Sequence, residues 1–408
     1  MINLIIVGIG NLATKIIPAV KKLEDRKYVK NVIFVDTKPV EKILEALRIP
    51  KDLYEWFKMQ KSHIILQDDG NNSTLIDKIR NYVAKDEVKI AVYLATPPSA
   101  YHSCVIKYNE IAQIFFLEKP WADDPSQLEQ TLKLAGNKRI IGIDHYLWKE
   151  SVRRFFKDDK NITKLESGNF DFVIAEDLPP KDRKYYWDYG EVADMMPHVL
   201  PLLDKLFNME ATILDSKEFK FRCAIWNPND FDYDDNNNRN VIKKETFIEL
   251  ESLLEKRVIH IVLGKGIKFY FDKSFGISKF VSNDNELLIN FEEENDPITT
   301  KDDDAYNDMF RYISENIDKI VGGECKEFLD PNLMKKYVNK IDELQKMIDR
   351  KYNVNEKRTG RSVALQEHPD LIYCENKTIR LQYHKANNCK IQSKKESDTD
   401  ETIVNNNL

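Results

Sequence analysis

Residues Ile2–Ala13 read INLIIVGIGNLA, a short apolar run that ends in the pattern G-x-G-x-x-A. An apolar run of this length is typical of a buried strand, and the segment that follows it has the spacing of a helix. Glycines at a strand-to-helix turn let backbone amides approach a pyrophosphate at the helix N-terminus. The stretch therefore predicts the first strand and turn of a dinucleotide-binding fold, with a tight turn that binds nothing as the alternative.

Four further apolar runs follow before residue 150, separated by segments long enough for helices: Val32–Val35, Ile90–Ala95, Ile114–Leu117 and Ile140–Ile143. Short runs of this kind are typical of a parallel sheet that helices cover on both faces. The sequence therefore predicts five strands and an α/β N-terminal domain over residues 1–148, a Rossmann domain with a doubly wound parallel sheet. A helix is expected next, at about Lys149–Phe156.

The pattern changes beyond about residue 165, where longer stretches of alternating polar and apolar residues predict antiparallel strands with one solvated face. Helices are expected at about Val192–Phe207 and at Pro331–Tyr352, the second being amphipathic. Two stretches rich in Asn and Asp, 230–240 and 283–305, are expected to be surface loops. These patterns predict an α+β substrate and dimerisation domain with a mainly antiparallel sheet over residues 149–352, and a partly disordered appendage over 353–408.

Composition narrows the classes of partner. The net charge is −6 with both signs interspersed and 32% of residues charged, so no basic stripe for nucleic acid is present. No run of about 18 apolar residues and no basic leader are visible, which favours a cytoplasmic protein without a membrane partner. The five cysteines include no C-x-x-C pair, and no metal site is expected. We expect a small-molecule substrate, and an open antiparallel sheet face is compatible with a homodimer.

The cofactor prediction depends on an acid and a turn as well as on the glycines. Asp36 ends the second predicted strand, where its carboxylate would bind ribose hydroxyls and repel a 2′-phosphate, which slightly favours NAD over NADP. Lys38 weakens that preference. Thr96-Pro97 is expected either beside the nicotinamide or as a rigid connection only. The predicted cofactor contacts are Gly8, Gly10, Asn11, Leu12, Asp36, Thr96, Pro97, Glu118 and Lys119.

Residues 142–150, GIDHYLWKE, place several polar groups at the end of the fifth predicted strand. The side chains of His145, Tyr146 and Lys149 can each donate a hydrogen bond to an anionic oxygen, which predicts a phosphate site. The alternative is a strand edge whose polar groups cap the next helix. Lys119, at the end of the fourth predicted strand, is a candidate to hold a substrate hydroxyl or phosphate.

A third candidate site lies in the second half of the chain. Asp194 and His198 are four residues apart on a predicted helix and so share a face. A carboxylate that orients an imidazole is the arrangement a general base needs to take a proton from a hydroxyl. A solvated or capping pair is the alternative.

Together these motifs resemble glucose-6-phosphate dehydrogenases and, more broadly, the Gfo/Idh/MocA sugar oxidoreductases. GNLATKIIPAV is similar to G-D-L-A-x-x-K-x-x-P-A-L, YLATPPSAY to Y-L-A-L-P-P-x-x-Y, EKPWADDPSQ to E-K-P-F-G-x-D, and IDHYLWKE to I-D-H-Y-L-G-K-E. The segment EDLPPKDRKYYWDYGEVADMMPHVLPLL is similar to the one that carries R-D-x-x-Q-N-H-L-L-Q. The matches are collinear over roughly residues 3–270.

The resemblance implies a role for each candidate. His198 corresponds to the general base, and Asp144 and Asp194 compete equally as the acid that pairs with it. Lys119 corresponds to a contact with the substrate hydroxyl and the cofactor. The residues that the resemblance assigns to the sugar phosphate or a later substrate contact are His145, Tyr146, Lys149 and Lys265.

The implied activity is that of an NAD(P)-dependent oxidoreductase acting on a CH–OH group, with a hexose 6-phosphate oxidised at C1 to a lactone. Oxidation of another ring hydroxyl to a keto-sugar and a non-catalytic NAD(P)-binding regulator are the alternatives. Two departures from the family bear on specificity. Asp36 stands where NADP-preferring members have arginine, and Trp148 replaces a glycine, which is expected to narrow the pocket beside the phosphate site.

Overall fold

The computed structural model describes the greater part of the first half of the chain and selected elements of the second. The described residues are 1–10, 12–25, 27–47, 49–60, 63–83, 88–136, 138–149, 152–153, 170–176, 196–205, 214–226, 241–252, 258–265, 276–282, 287–290, 302–324 and 327–351. For the strands between 170 and 290, and for 302–304 and 347–351, only the backbone is described. The predicted appendage, 353–408, lies outside these ranges.

The N-terminal half contains a six-stranded parallel sheet. Its strands are β1 (Ile2–Val7), β2 (Val29–Asp36), β3 (His63–Gln67), β4 (Ile90–Leu94), β5 (Ile114–Leu117) and β6 (Arg139–Gly142). The order is β3-β2-β1-β4-β5-β6, and every neighbouring pair is parallel. This order is that of the doubly wound dinucleotide-binding fold, in which ligands bind at the carboxyl ends of the strands beside β1. The Rossmann prediction is confirmed, with one strand more than predicted.

Six helices connect these strands: α1 (Ala13–Asp25), α2 (Val40–Ala46), α3 (Lys51–Met59), α4 (Asn72–Val83), α5 (Tyr101–Tyr108) and α6 (Pro125–Ala135). Helix α6 begins as its sequence predicts, because Asp124 accepts a hydrogen bond from the backbone amide of Gln127 and Pro125 occupies the first turn. Two short 3-10 helices, Pro98–Ala100 and His145–Trp148, follow the ends of β4 and β6. Both lie at the sheet edge where ligands are expected.

Three helices from the second half of the chain belong to the same compact unit. They are α7 (residues 196–205), α8 (Asp302–Gly322) and α9 (Pro331–Lys351), of which α9 belongs to the unit as far as Gln345. The unit comprises Met1–Ser167, Ala193–Glu210 and Glu294–Gln345. This organisation differs from the predicted boundaries, which assigned the whole of 149–352 to a separate domain.

Helix α8 covers one face of the parallel sheet together with α1, against which it packs. Its buried side chains include Tyr306, Met309, Phe310 and Ile313, and they belong to one core cluster with Leu4 and Ile6 of β1 and with the inner face of α1. The sequence analysis assigned the start of α8 to a surface loop, and that assignment is wrong. Three aspartates stand at the start of α8, and the helical spacing of the apolar residues begins only after them.

The second compact unit contains a six-stranded sheet with strands β7 (Phe170–Glu176), β8 (Leu214–Trp226), β9 (Val241–Ser252), β10 (Val258–Lys265), β11 (Gly276–Ser282) and β12 (Leu287–Asn290). The order is β12-β11-β7-β10-β9-β8, and all pairs are antiparallel except β7 with β10. Strand β12 lies in the second stretch predicted as a loop, which corrects that prediction. The side chains of these strands lie outside the described residues, so the α+β assignment stays a prediction.

The described residues include parts of the helices predicted from Lys149 onward. Helix α9 agrees with the amphipathic pattern to within one residue at its end. Helix α7 lies inside the range predicted as Val192–Phe207, and of the helix expected at about Lys149–Phe156 only residues 152–153 are described as helical. Within the described part of the chain, no helix has the length and apolarity needed to cross a bilayer.

Candidate active site

The glycine turn after β1 has the shape that a dinucleotide requires. Gly8 adopts φ +97°, and a Cβ there would lie 2.8 Å from the carbonyl oxygen of Ala95, so this position needs glycine for the fold itself. Gly10 is exposed, and a Cβ there would meet nothing within 4 Å. The open space over Gly10, next to the N-terminal end of α1, fits the close approach of a pyrophosphate.

Asp36 lies at the end of β2 beside the same turn. Its Oδ2 accepts a hydrogen bond of 2.7 Å from the backbone amide of Ile9, and its Oδ1 accepts one of 2.9 Å from that of Lys38. The carboxylate therefore fixes the turn, and its half-buried position keeps negative charge where the ribose of a dinucleotide would lie. The residues at this turn fit NAD, because the negative charge of Asp36 disfavours binding of a 2′-phosphate.

The remaining cofactor candidates lie at the ends of β4 and β5. Thr96 is half-buried and its methyl group lies against Gly8, while Pro97 is exposed and leads into the 3-10 helix Pro98–Ala100. Lys119 is half-buried and joined to Pro120 by a cis peptide bond. Leu12 is half-buried at the start of α1. These residues lie around the carboxyl ends of β4 and β5 and the turn after β1, and their contacts with a cofactor stay a prediction.

A buried acid and imidazole pair forms the centre of the site. Asp144, directly after β6, lies 2.6 Å from His198 of α7, measured from Oδ1 to Nδ1, and both side chains are fully enclosed. Asp144 Oδ1 also accepts a hydrogen bond of 3.1 Å from the backbone amide of Tyr146, which caps the 3-10 helix His145–Trp148. The cap fixes the carboxylate so that it holds the imidazole in one orientation.

Burial dominates the electrostatics of this carboxyl group. Enclosure away from water, with a smaller contribution from the charge of Glu118, raises the pKa of Asp144 to about 8. The amide of Tyr146 and the ammonium groups of Lys119 and Lys149 act in the opposite direction. The raised pKa of Asp144 lies close to neutral pH, and the contact of 2.6 Å with His198 couples protonation of this carboxyl group to the position of hydrogen on the imidazole.

The predicted phosphate-binding side chains are arranged around this pair. The Tyr146 ring stacks on His198, with centroids 3.9 Å apart and planes 12° apart, and Lys149 Nζ lies 3.9 Å from the Tyr146 centroid. His145 lies edge-on to His198 at 5.2 Å. All three are buried; His145 and Tyr146 lie in the 3-10 helix His145–Trp148, and Lys149 directly follows it.

Glu118 accepts hydrogen bonds from three groups of the protein. Its side chain is buried, Oε1 accepts hydrogen bonds from the hydroxyls of Tyr93 (2.8 Å) and Tyr306 (2.6 Å), and Oε2 accepts one of 2.7 Å from the amide of Lys119. Burial raises the pKa of Glu118 above its usual value, and these hydrogen bonds offset the increase only in part. The internal donors orient this carboxylate within the site, and its contact with a cofactor stays a prediction.

Packing in the core accounts for the large side chain of Trp148. Its ring is buried in the core cluster, 5.2 Å from the rings of both Tyr312 and Phe328, with Arg153 over it at 5.5 Å. The expectation that it narrows the substrate pocket therefore gains no support, because the indole fills a space between α8 and the segment that precedes α9.

Three candidates cannot be placed in the site. Asn11 and Asp194 lie outside the described residues, and the side chain of Lys265 does as well, although its backbone ends β10. Asp144 is thus the acid seen next to His198, while the competing role of Asp194 stays a prediction. Sequence reasoning also missed Tyr93, whose only signal was its position in an apolar run, and Tyr306, which follows the three aspartates at the start of α8.

Comparison with known proteins agrees with this fold and this geometry. Residues 5–154 match the family model described as glucose-6-phosphate dehydrogenase, NAD binding domain. This match shows similarity to that NAD-binding domain over little more than a third of the chain. The matched range includes the glycine turn, Asp36, Lys119 and the whole of GIDHYLWKE, so the predicted resemblance and the prediction of NAD or NADP as cofactor are confirmed.

One curated relative extends the similarity in sequence. The glucose-6-phosphate 1-dehydrogenase of Zymomonas mobilis is 26% identical over 187 residues, and the match covers 38% of this chain and 37% of that enzyme. The chain therefore spans little more than a third of the length of the curated relative that it matches. The range that matches the family model lies at the start of the chain and includes Gly8 and Gly10.

Solved structures agree with the fold over most of the chain. A 3-ketoreductase from Actinomadura kijaniata, in complex with TDP-benzene and NADP, superposes with a TM-score of 0.52 at 12% identity, covering 85% of this chain and 97% of that one. An oxidoreductase from Agrobacterium radiobacter, in complex with NAD⁺, L-tartaric acid and magnesium, gives a TM-score of 0.52 at 10% identity, covering 84% and 94%. Identities this low establish a shared fold and no shared substrate.

Proposed function

We propose that the protein is an NAD(P)-dependent oxidoreductase that oxidises a hydroxyl group of a sugar phosphate, with a hexose 6-phosphate oxidised at C1 as the specific case. The observation that carries the proposal is the buried Asp144 and His198 pair, 2.6 Å apart, at the strand edge where the cofactor domain binds ligands. Support also comes from the match to the NAD-binding domain of glucose-6-phosphate dehydrogenase.

The proton step follows from the geometry of the pair. When Asp144 is ionised it accepts the Nδ1 proton of His198, which leaves Nε2 as a hydrogen-bond acceptor. His198 can then take the proton of the substrate hydroxyl, and Asp144 stabilises the imidazolium that results. When bound, the nicotinamide supplies the acceptor for the hydride that leaves the same carbon. Lys119 would hold the substrate hydroxyl in place for this transfer.

The charges of the site support an anionic substrate. His145, Tyr146 and Lys149 surround the pair, and each can donate to a phosphoryl oxygen. Lys265 is a further candidate for the same group. The Asp36 carboxylate favours NAD over NADP, because a 2′-phosphate beside it would be repelled.

A substrate panel tests the proposal directly. Glucose 6-phosphate, other hexose phosphates, nucleotide sugars and free sugars are incubated with NAD or NADP, and reduction is followed at the nicotinamide absorbance. We expect reduction with a hexose 6-phosphate and with NAD, and identification of the product distinguishes a lactone from a keto-sugar. No reduction with any sugar, combined with tight binding of NADH, would support a non-catalytic regulator instead.

Substitution of the base tests the mechanism. In His198→Asn, turnover should fall by about 10²–10⁴, the usual contribution of a general base, while the dissociation constant for NADH is unchanged. Lys335→Ala, a change of an exposed residue on α9, is the control and should keep full activity. Turnover of His198→Asn within a factor of two of the wild type would show that this imidazole is not the base.

A further inference from the structure

A second buried chain of hydrogen bonds ends on His145. The Tyr306 hydroxyl lies 2.6 Å from Glu118 Oε1 and 3.3 Å from His145 Nδ1. The rings of Tyr306 and His145 also stack, with centroids 5.0 Å apart and planes 20° apart. Tyr306 lies on α8 and was not a candidate from the sequence, so this chain brings a new element to the site.

The positions of the protons along this chain follow from the number of donors. Glu118 is surrounded by donors: the hydroxyls of Tyr93 and Tyr306 at Oε1 and the amide of Lys119 at Oε2. Three donors favour the carboxylate form. Tyr306 has one hydroxyl proton, and the shorter contact assigns it to Glu118. Its oxygen can then only accept from His145, so the Nδ1 atom of His145 carries hydrogen.

This assignment decides what His145 can offer a ligand. A neutral imidazole with hydrogen on Nδ1 has a lone pair on Nε2, and a lone pair repels a phosphoryl oxygen. Only the imidazolium, with hydrogen on both nitrogens, can donate from Nε2 to an anion. The carboxylate of Glu118 stabilises that cation through Tyr306, as a carboxylate does behind any oriented histidine.

Some of the other titratable groups around His145 stabilise its imidazolium form, and others destabilise it. Asp144 and Glu118 favour the imidazolium, whereas Lys119, Lys149 and a protonated His198 disfavour it. His145 contacts Tyr146, His198 and Tyr306, and Asp144 lies within 4.8 Å of it. Behind them, Glu118 contacts Tyr93 and Tyr306, Lys149 contacts Tyr146, and Lys119 acts on Asp144.

We propose that Tyr306 and Glu118 are positioning residues that hold hydrogen on Nδ1 of His145, so that His145 binds a phosphoryl group only as an imidazolium. This inference rests on the proposed function, since it assigns the phosphate of the substrate to His145. It makes selection of a phosphorylated over an unphosphorylated sugar depend on protonation of one residue. Affinity for the phosphate should then decline as pH rises and His145 loses its proton.

Tyr306→Phe tests the proposal, because it removes the hydroxyl and keeps the ring stacked on His145. Tyr312→Phe makes the same change on the same helix and is the matched control. Long-range proton–nitrogen NMR spectra of the full-length chain report the tautomer, and the His145 signal is assigned by its loss in His145→Gln. We expect hydrogen on Nδ1 in the wild type and in Tyr312→Phe, and hydrogen on Nε2 in Tyr306→Phe.

Calorimetry with inorganic phosphate and with glucose 6-phosphate gives the binding consequence. Affinity in the wild type should fall as pH rises, and Tyr306→Phe should bind about tenfold more weakly at pH 6, as expected for weakening one hydrogen bond to a charged group. NADH affinity and melting temperature should match those of Tyr312→Phe. The same tautomer and the same affinity in both variants would overturn the proposal.

The two readouts separate this inference from the proposed function. The tautomer is measured without turnover, so a shift in Tyr306→Phe supports the positioning role even if no sugar reduces the nicotinamide. Conversely, hydrogen on Nε2 in the wild type overturns the positioning role even if hexose 6-phosphates are oxidised.

Discussion

At the scale of single residues, the chemistry of the site depends on burial of the ionisable side chains of Asp144 and His198. Asp144 and His198 are both enclosed, and this enclosure raises the pKa of the acid to about 8. A solvated Asp/His pair at the same spacing would titrate as two ordinary groups. Burial instead couples them, so that one proton decides whether Nε2 of His198 can act as a base.

The coupled pair predicts the pH dependence of catalysis. Protonation of Asp144 makes Nδ1 of His198 the acceptor and moves hydrogen to Nε2, which abolishes the base. Because burial raises the pKa of Asp144, kcat/KM should fall about tenfold per pH unit as pH drops below about 8. Initial rates with the reacting sugar from pH 6 to 9.5 measure it.

Two features distinguish this titration from that of the substrate. The second ionisation of a phosphate monoester is near pH 6, well below that of the pair. Asn in Asp144→Asn can still form hydrogen bonds but has no carboxyl group to titrate. The low activity of this variant should therefore lack the decrease in kcat/KM below about pH 8. A wild-type kcat/KM that is constant from pH 6 to 9 would contradict the assignment.

At the scale of elements, the turn between β1 and α1 has two glycines with different functions. Gly8 is required by the fold, because its positive φ and the carbonyl of Ala95 leave no room for a side chain. Gly10 faces open space and has no structural requirement of that kind. The same motif thus contains one residue for stability and one for the ligand.

Substitutions at the two glycines should separate these functions. Gly10→Val should weaken NADH binding by tenfold or more, because the side chain fills the space that a pyrophosphate needs, and should leave the melting temperature close to that of the wild type. Gly8→Ala should lower stability by about 1–3 kcal/mol through strain and overpacking. Fluorescence titration with NADH and thermal denaturation measure the two effects.

The contrast between the variants is the control for each. Gly10→Val would argue against the cofactor site if it bound NADH as the wild type does. A melting temperature for Gly8→Ala equal to that of Gly10→Val would show that the contact with Ala95 is not restrictive.

At the scale of the whole molecule, the compact unit that contains the site is discontinuous in sequence. Helices α7, α8 and α9 come from the second half of the chain, yet they belong to one unit with the parallel sheet. Helix α7 supplies His198, and α8 supplies Tyr306 and covers the sheet beside α1. Neither the core nor the site is complete within the first 150 or so residues.

A fragment of residues 1–148, the boundary that the sequence suggests, should therefore be unstable. It would expose the face of the sheet that Tyr306, Met309, Phe310 and Ile313 bury, at about 1.5–3 kcal/mol of lost stabilisation for each large side chain. We expect aggregation or a non-cooperative melt by circular dichroism, compared with a cooperative melt of the full chain. A fragment that melts cooperatively and binds NADH with full affinity would contradict this.

The sequence by itself determined the local parts of this protein. The apolar strands, the glycine turn, Asp36, GIDHYLWKE and helix α9 could be predicted, because each depends on residues close together in the chain. Strand β3 was missed because its buried residues include a histidine, His63, which stacks on Phe57 in the core. The start of α8 was missed because aspartates precede its apolar face.

Only the tertiary structure decided which distant residues meet. Asp144 and His198 are 54 residues apart and Glu118 and Tyr306 are 188 apart, and no spacing rule links such pairs. Packing of α7 and α8 on the sheet brings them together and excludes water, and that exclusion raises the pKa of Asp144. The residue types set the chemistry available, and long-range packing set which groups share a proton.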